Sequence, residues 1–289
     1  TGTAAIEIAL RSIGVKKNDE VLIPNLNYIA SANCTLQVGA IPHFVDIDKN
    51  NLGININKLD SYLKKILYIK NKKLINKKTK RTIRAIVPTH IFGNACEIKK
   101  IVKISKKFKL KVIEDSSEAL GSFFDGKHLG TIGDIGILSF NGNKIISTGA
   151  GGALITNNKQ IYKKAMLLSK ISRKNKSYWE YDYSELGYNY RMSGINAALG
   201  ISQLKKIKKI LKNKIIINKF YNNNFSKFDN IKLIQQTKKS KWNFWLNNIV
   251  IRNISLGMRN KIIVGLNKNN ILARPVWKLM HKIDHLKKF

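Results

Sequence analysis

Short apolar runs of strand length alternate with stretches whose apolar residues recur every three or four positions, and this alternation leaves few folds open to the chain. Residues 21–24, 41–45, 83–88, 110–114 and 135–140 read as strands. Between them, Ile6, Leu10 and Ile13 share one helix face, as do Ile98, Ile101, Val102 and Ser105. Further on, 153–156 reads as a strand, 159–172 as a helix, 178–190 as a polar, aromatic segment, 195–221 as one long helix, 245–251 as a strand and 258–267 as a helix. The pattern implies an α/β fold, a mostly parallel sheet between helices. Such sheets collect ligands beyond the carboxyl ends of their strands, where residues 25–28, 89–93 and 115–118 fall.

A length of 289 residues, 44% of them hydrophobic, suits one large domain and part of a second. The division is expected at 1–190 and 191–289. No run reaches the roughly 20 apolar residues that span a bilayer, and the first residues show no charged-then-apolar leader, so the expectation is a soluble, cytoplasmic protein without a membrane partner. Cys34 and Cys96 are too few for a disulfide framework or a zinc ligand set, and are expected to be buried and inert. The formal charge of +36 raises a polyanion as partner. Its placement argues otherwise, because lysines are spread along the chain and are densest in 64–80 and 205–214, among Ile, Leu and Asn, as on solvated helix faces or loops. A compositional bias therefore explains the charge better than a nucleic-acid site, although the same field attracts a substrate bearing a diphosphate.

The chemistry concentrates in Ser139, Phe140, Asn141, Gly142, Asn143 and Lys144, followed by the turn Ser147, Thr148, Gly149, Ala150, Gly151, Gly152. A lysine just past an apolar strand and before a glycine-rich turn is placed to form a Schiff base with an aldehyde cofactor. Alone it is one lysine among many, and an exposed loop lysine is the plainer explanation. Three other features single it out. Val112, Ile113, Glu114 and Asp115 make a strand ending in a carboxylate, the group that pairs with a protonated pyridine nitrogen, although by itself Asp115 reads equally as a helix cap. Thr1, Gly2, Thr3, Ala4 and Ala5 open a helix with small residues and hydroxyls, a place where free N–H groups hold phosphate. Tyr28 offers a flat face for a ring, or else simply packs in the core.

With these motifs in this order, the chain resembles the DegT/DnrJ/EryC1/StrS sugar aminotransferases, fold-type I enzymes that use pyridoxal 5'-phosphate. The match runs from Thr1 to about His281. Its three segments, His90 to Ala95, Ser139 to Lys144 and Arg274 to His281, are similar to the branch that aminates C4 of UDP-linked 4-keto-6-deoxy-N-acetylhexosamines for legionaminic acid, bacillosamine and related surface glycans. The resemblance implies that Lys144 is the catalytic lysine and that Asp115 holds the pyridine nitrogen. It implies that Gly2, Thr3, Ala4 and Ser139 bind the phosphate, while Tyr28 and Ser117 face the two sides of the ring. Glu118 stands near the ring hydroxyl, where the family often has Gln or His. Asn189 is expected to reach the neighbouring subunit's phosphate, which implies a homodimer with shared sites. Glutamate would be the amino donor, and Arg274, Trp277 and His281 are the candidates for binding the sugar nucleotide. The family pattern also runs beyond both ends of this chain.

Two rivals are set against this reading. A sugar 3-dehydratase of the same fold has histidine where Lys144 stands. A non-catalytic relative with a regulatory or nucleic-acid-binding role would draw on the charge instead.

Overall fold

The computed structural model describes residues 1–71, 73–174, 179 and 181–289; Tyr178, at the head of the polar, aromatic segment, lies outside them. The chain runs α1 (Gly2–Ser12), β1 (Glu20–Pro24), α2 (Ala30–Gln37), β2 (Ile41–Val45), α3 (Ile56–Ile66), the hairpin β3 (Leu67–Lys70) and β4 (Lys73–Asn76), β5 (Ile83–Ile86), α4 (Ile98–Lys107) and β6 (Lys111–Asp115). A small hairpin, β7 (Phe123–Phe124) and β8 (Lys127–His128), precedes β9 (Ile135–Ser139), β10 (Gly152–Ile155) and α5 (Lys159–Ser169). Then come β11 (Arg173–Lys174), β12 (Asp182–Tyr183), α6 (Gly194–Lys205), α7 (Ile207–Phe225), β13 (Ile231–Leu233), β14 (Ser240–Lys241), β15 (Ile249–Ile251) and α8 (Leu256–Lys268).

The central sheet has the order β10-β9-β6-β5-β1-β2. All its pairings are parallel except that of β10 with β9. Successive side chains of a strand point to opposite faces, and here both faces are covered. Val21, Ile23, Ala85, Val87 and Ile113 face the core under α1 and α2. Leu22, Ile86 and Val112 face the core under α3 and α4. Strands buried on both sides read as unbroken apolar runs, which is why these strands were visible in the sequence. Asn55, Asn158, Ser193 and Ser255 cap α3, α5, α6 and α8 with side chains that accept first-turn N–H groups.

Residues 231–233 and 249–251 pair as a separate small sheet, yet the latter part of the chain returns to the first. β14 pairs with β7, and Met280 and Leu286 fill the core under α1. Three expectations change. The helix expected over 195–221 is two, α6 and α7, meeting at Lys206. The strand expected over 245–251 begins only at Ile249, and the stretch before it carries the buried Trp242 and Trp245. Part of the lysine-rich 64–80 segment is the β3–β4 hairpin, which buries Leu67 and Leu74 and presents Lys70 and Lys73 to solvent. Both cysteines are buried, and burial, helped by the negative charges of Glu7 and Asp115, pushes the Cys34 thiol up to about 12. Among the described residues, no helix is long and apolar enough to cross a membrane, and no group of His, Cys, Asp and Glu is placed to hold a metal.

Candidate active site

The carboxyl ends of β1, β5, β6 and β9 lie side by side in the sheet, and the N-terminus of α1 meets the end of β9. The first N–H groups of a helix have no partner inside it. In α1, that of Ala4 is taken by the Thr1 hydroxyl at 3.1 Å and that of Ala5 by the Thr1 carbonyl at 3.1 Å, leaving those of Gly2 and Thr3 for a ligand. A Cβ on Gly2 would stand 3.0 Å from Ser139 Cβ and 3.2 Å from the hydroxyls of Ser117 and Ser139. Glycine therefore lets two hydroxyls close around a positive helix end, an arrangement suited to a phosphate.

Below this cradle, Asp115 ends β6 and is buried. Its Oδ2 accepts from Ser31 Oγ at 2.9 Å and its Oδ1 from the Ser117 N–H at 3.2 Å, so the carboxylate is fixed in direction. The β5–β6 ladder continues past its strands through a bridge between Thr89 and Asp115 and the bond from His90 N–H to the Asp115 carbonyl, 3.1 Å. The neighbouring Glu114 is buried and accepts from His90 Nε2 at 3.1 Å, Gly130 N–H at 2.9 Å, Ile132 N–H at 2.6 Å and Gly133 N–H. Burial acts to raise its pKa, and these hydrogen bonds outweigh burial and hold it below the usual carboxylate range. Because His90 Nδ1 accepts from the Cys96 N–H at 3.3 Å, Nε2 is the nitrogen that donates to Glu114.

Lys144 sits in the turn after β9, with its N–H on the Asn141 carbonyl at 3.0 Å. Its Nζ lies 3.5 Å from Glu118 Oε1 and 4.2 Å from the centre of the Trp245 ring. Glu118 Oε2 accepts the Phe92 N–H at 2.7 Å. Burial pushes the Glu118 carboxyl up to about 7 against the pull of Lys144 and the Phe92 N–H. At 3.5 Å the lysine is farther away than a charge-assisted hydrogen bond requires, so burial prevails.

An aromatic wall completes the site. Phe92, with φ 56°, is a non-glycine residue in the left-handed region, and its ring centre lies 4.9 Å from that of Trp277 and 6.5 Å from that of Trp245. Such a backbone persists only where its surroundings hold it. Here the Phe92 carbonyl also accepts the Trp242 indole N–H at 2.9 Å. Tyr28 is 55% exposed, with its ring centre 6.1 Å from that of Trp277, so it stands at the rim.

Of the residues expected at the site, Gly2, Thr3, Ala4, Ser117, Asp115, Glu118, Ser139 and Lys144 come together, with Tyr28 and Trp277 at the rim. His281 docks on the end of β1, its N–H on Asn25 Oδ1 at 3.2 Å and its Nδ1 2.7 Å from Asn25 Nδ2. Arg274 is exposed beyond α8, and among the described residues no hydrogen bond or ion pair ties it to the cluster. Asn189 is exposed and bridged to Lys170, and among the described residues no side-chain hydrogen bond ties it to the cluster. Its neighbours are anchored to α1 through Tyr190 Oη on Glu7 at 3.0 Å and the Arg11 guanidinium 5.0 Å over the Tyr188 ring. Asn243 and Trp245 build the Lys144 surroundings without belonging to any motif noted above. Their one signal is the dense run Trp242, Asn243, Phe244, Trp245 in a chain with 4 tryptophans.

The residues present fit pyridoxal phosphate: a cradle of N–H groups and hydroxyls for the anion, an aligned carboxylate for a ring nitrogen, and a primary amine for the aldehyde. Comparison with known proteins agrees. The family model described as the DegT/DnrJ/EryC1/StrS aminotransferase family matches residues 1–288. A GDP-perosamine synthase of Vibrio cholerae is 32% identical over 289 residues, covering 99% of this chain and 73% of the relative. A UDP-4-amino-4,6-dideoxy-N-acetyl-beta-L-altrosamine transaminase of Campylobacter jejuni is 36% identical over 244 residues, 83% of this chain and 61% of the relative. Among solved structures, a sugar aminotransferase of Streptococcus pneumoniae in its PLP form superposes with a TM-score of 0.85 at 26% identity, covering 99% of this chain and 74% of that one.

Proposed function

Because the chain belongs to the DegT/DnrJ/EryC1/StrS aminotransferase family, we propose that it is a pyridoxal-phosphate enzyme that moves an amino group from glutamate to C4 of a nucleotide-linked 4-keto-6-deoxy sugar for surface glycan synthesis. The observation that carries this reading is the single cluster formed by the α1 N-terminus, Ser139, Asp115 and Lys144. The presence of Lys144 sets aside the dehydratase rival. The V. cholerae and C. jejuni relatives act on GDP- and UDP-linked sugars by their names, which supports the nucleotide-sugar class for this chain and leaves both nucleotides as substrates to try.

Each residue has a task in that reaction. Gly2 and Thr3 N–H groups and the Ser139 hydroxyl bind the phosphate and fix the ring's position, joined by the Ser117 hydroxyl that the resemblance assigned to the ring face and without Ala4, whose N–H is held by the Thr1 hydroxyl. Asp115, aligned by Ser31, faces the ring nitrogen and favours its protonated form. The cofactor, once bound, supplies a carbonyl that takes up the amine and a ring that withdraws electrons from the reacting carbon. Lys144 then moves a proton on and off that carbon as base and acid in turn. Tyr28 covers one face of the ring from the rim, and Trp277 beside it meets the sugar nucleotide, with His281 and Arg274 as the further residues for binding it. The lysine-rich surface attracts the diphosphate.

We read residues 1–190 as the cofactor-binding domain and 191–289 as part of the smaller one, and place the protein in the cytoplasm. We also read it as a homodimer in which Asn189 serves the partner's site. The exposed apolar residues Leu186, Ile195, Leu199, Ile201 and Leu204, close to Asn189 in sequence, support that assembly. The test of the main reading is a glutamate-dependent amination assay over a panel of UDP- and GDP-linked 4-keto-6-deoxy sugars. At least one is expected to yield an amino sugar and 2-oxoglutarate with the wild type and none with Lys144→Ala. If no member of the panel reacts, the substrate class is wrong.

A further inference from the structure

Lys144 has two partners close to its amine. Its Nζ lies over the Trp245 ring, 4.2 Å from the centre, with Glu118 Oε1 at 3.5 Å. The same tryptophan donates its indole N–H to the Asn143 carbonyl at 2.7 Å, gripping the turn that carries the lysine. Trp245 is itself fixed. Its N–H lies on Asn243 Oδ1 at 3.0 Å, and its carbonyl accepts from Lys214 Nζ at 3.1 Å. Asn243 Nδ2 in turn holds the carbonyls of Glu118 at 2.8 Å and Leu120 at 3.0 Å, so ring and carboxylate are tied to one scaffold. With Oε2 engaged by the Phe92 N–H, Glu118 has Oε1 left for the lysine.

We propose that Trp245 is a positioning residue for Lys144, and that its ring face and the Glu118 carboxylate together form the seat of the Lys144 ammonium. An aromatic face stabilises a desolvated ammonium, and a nearby carboxylate adds to that stabilisation. The seat keeps the amine beside the reacting centre instead of letting its long side chain sample solvent. The inference rests on the reading of Lys144 as the cofactor lysine, which the visible band of bound pyridoxal phosphate tests separately.

The experiment uses the whole cofactor-free chain. Trace labelling with an amine-selective acylating reagent, read lysine by lysine by mass spectrometry, gives the Lys144 rate relative to exposed Lys49. Trp245→Leu, which removes both ring and N–H, is expected to speed Lys144 labelling by roughly threefold to tenfold, the range that a cation–π contact of this kind supports. Trp245→Phe keeps a ring and is expected to fall between, at about twofold, as a partial rescue. Glu118→Gln is also expected to speed labelling while leaving the Asn143 bond intact. Where Trp245→Leu does not fold, Trp245→Phe and Glu118→Gln carry the test against wild type. Equal Lys144 rates in the folded variants and wild type would overturn the seat. If wild type gives no visible band with pyridoxal phosphate, the parent reading fails instead.

Discussion

Glu118 shows how one residue in this site answers to its surroundings more than to its type. The titratable groups that face it are Lys144, from the turn after β9, and Asp115, from the end of β6. Burial leads, and lifts its carboxyl from the ordinary value of 4.5 to about 7. A carboxyl raised on folding binds more protons in the folded state, so its contribution to stability is fullest below pH 4.5 and is lost as pH rises to about 7. Glu118→Gln mimics the protonated form throughout. Chemical denaturation of the cofactor-free chain is therefore expected to show variant and wild type close together at pH near 5 and the variant more stable at pH near 8, by roughly 2 to 3 kcal/mol. A gap that fails to open with pH would mean that the buried carboxyl is not protonated at the acid end. Lys144, Asp115, Ser139 and Gly2, which the structure brings together, stand out in the sequence because each lies beside a strand end or a helix start within a local motif. Trp245 does not, because its partners Asn143 and Lys144 lie about a hundred residues earlier in the chain, so no local spacing records the contact.

At the scale of elements, visibility in the sequence followed burial. β1, β5, β6 and β9 were readable because both faces are covered. The β3–β4 hairpin was not, since it buries little beyond Leu67, Leu74 and Asn76 and carries exposed Lys70, Lys73 and Ile69 among its apolar residues. The break between α6 and α7 at Lys206 has no proline or glycine to mark it. α6 is unusual for the reverse reason. It is apolar enough for a core, but of its residues only Gly200 is buried, and Ile195 is 86% exposed. It lies against the glycine-rich turn through Asn196 Nδ2 on the Thr148 carbonyl, so a partner bound to α6 would sit beside the cofactor site. Burying one such side chain is worth about 1.5 to 3 kcal/mol. Ile195→Glu is therefore expected to weaken self-association by at least about tenfold, as seen in the sedimentation of a dilution series. A wild type that sediments as a monomer, or a variant that associates equally well, would count against the homodimer.

In the whole molecule, a doubly covered sheet sets four strand ends side by side, with the N-terminus of α1 at the end of β9, and the chain's later residues return to pack beside them. β14 joins the β7–β8 hairpin, Trp242 and Trp245 reach Phe92 and the Lys144 turn, and Met280 and Leu286 enter the main core. The charge of +36 explains little of the site, because the lysines that carry it are mostly exposed while the site is built from a few buried groups. The abundance of lysine makes a direct identification of the reacting one the most telling measurement. Pyridoxal phosphate would be added to the whole chain, the product reduced with borohydride, and the pyridoxyl group located by peptide mass spectrometry. The account predicts the group on Lys144, with a visible band before reduction that Lys144→Ala abolishes. A pyridoxyl group spread over surface lysines, or fixed on a different one, would contradict it.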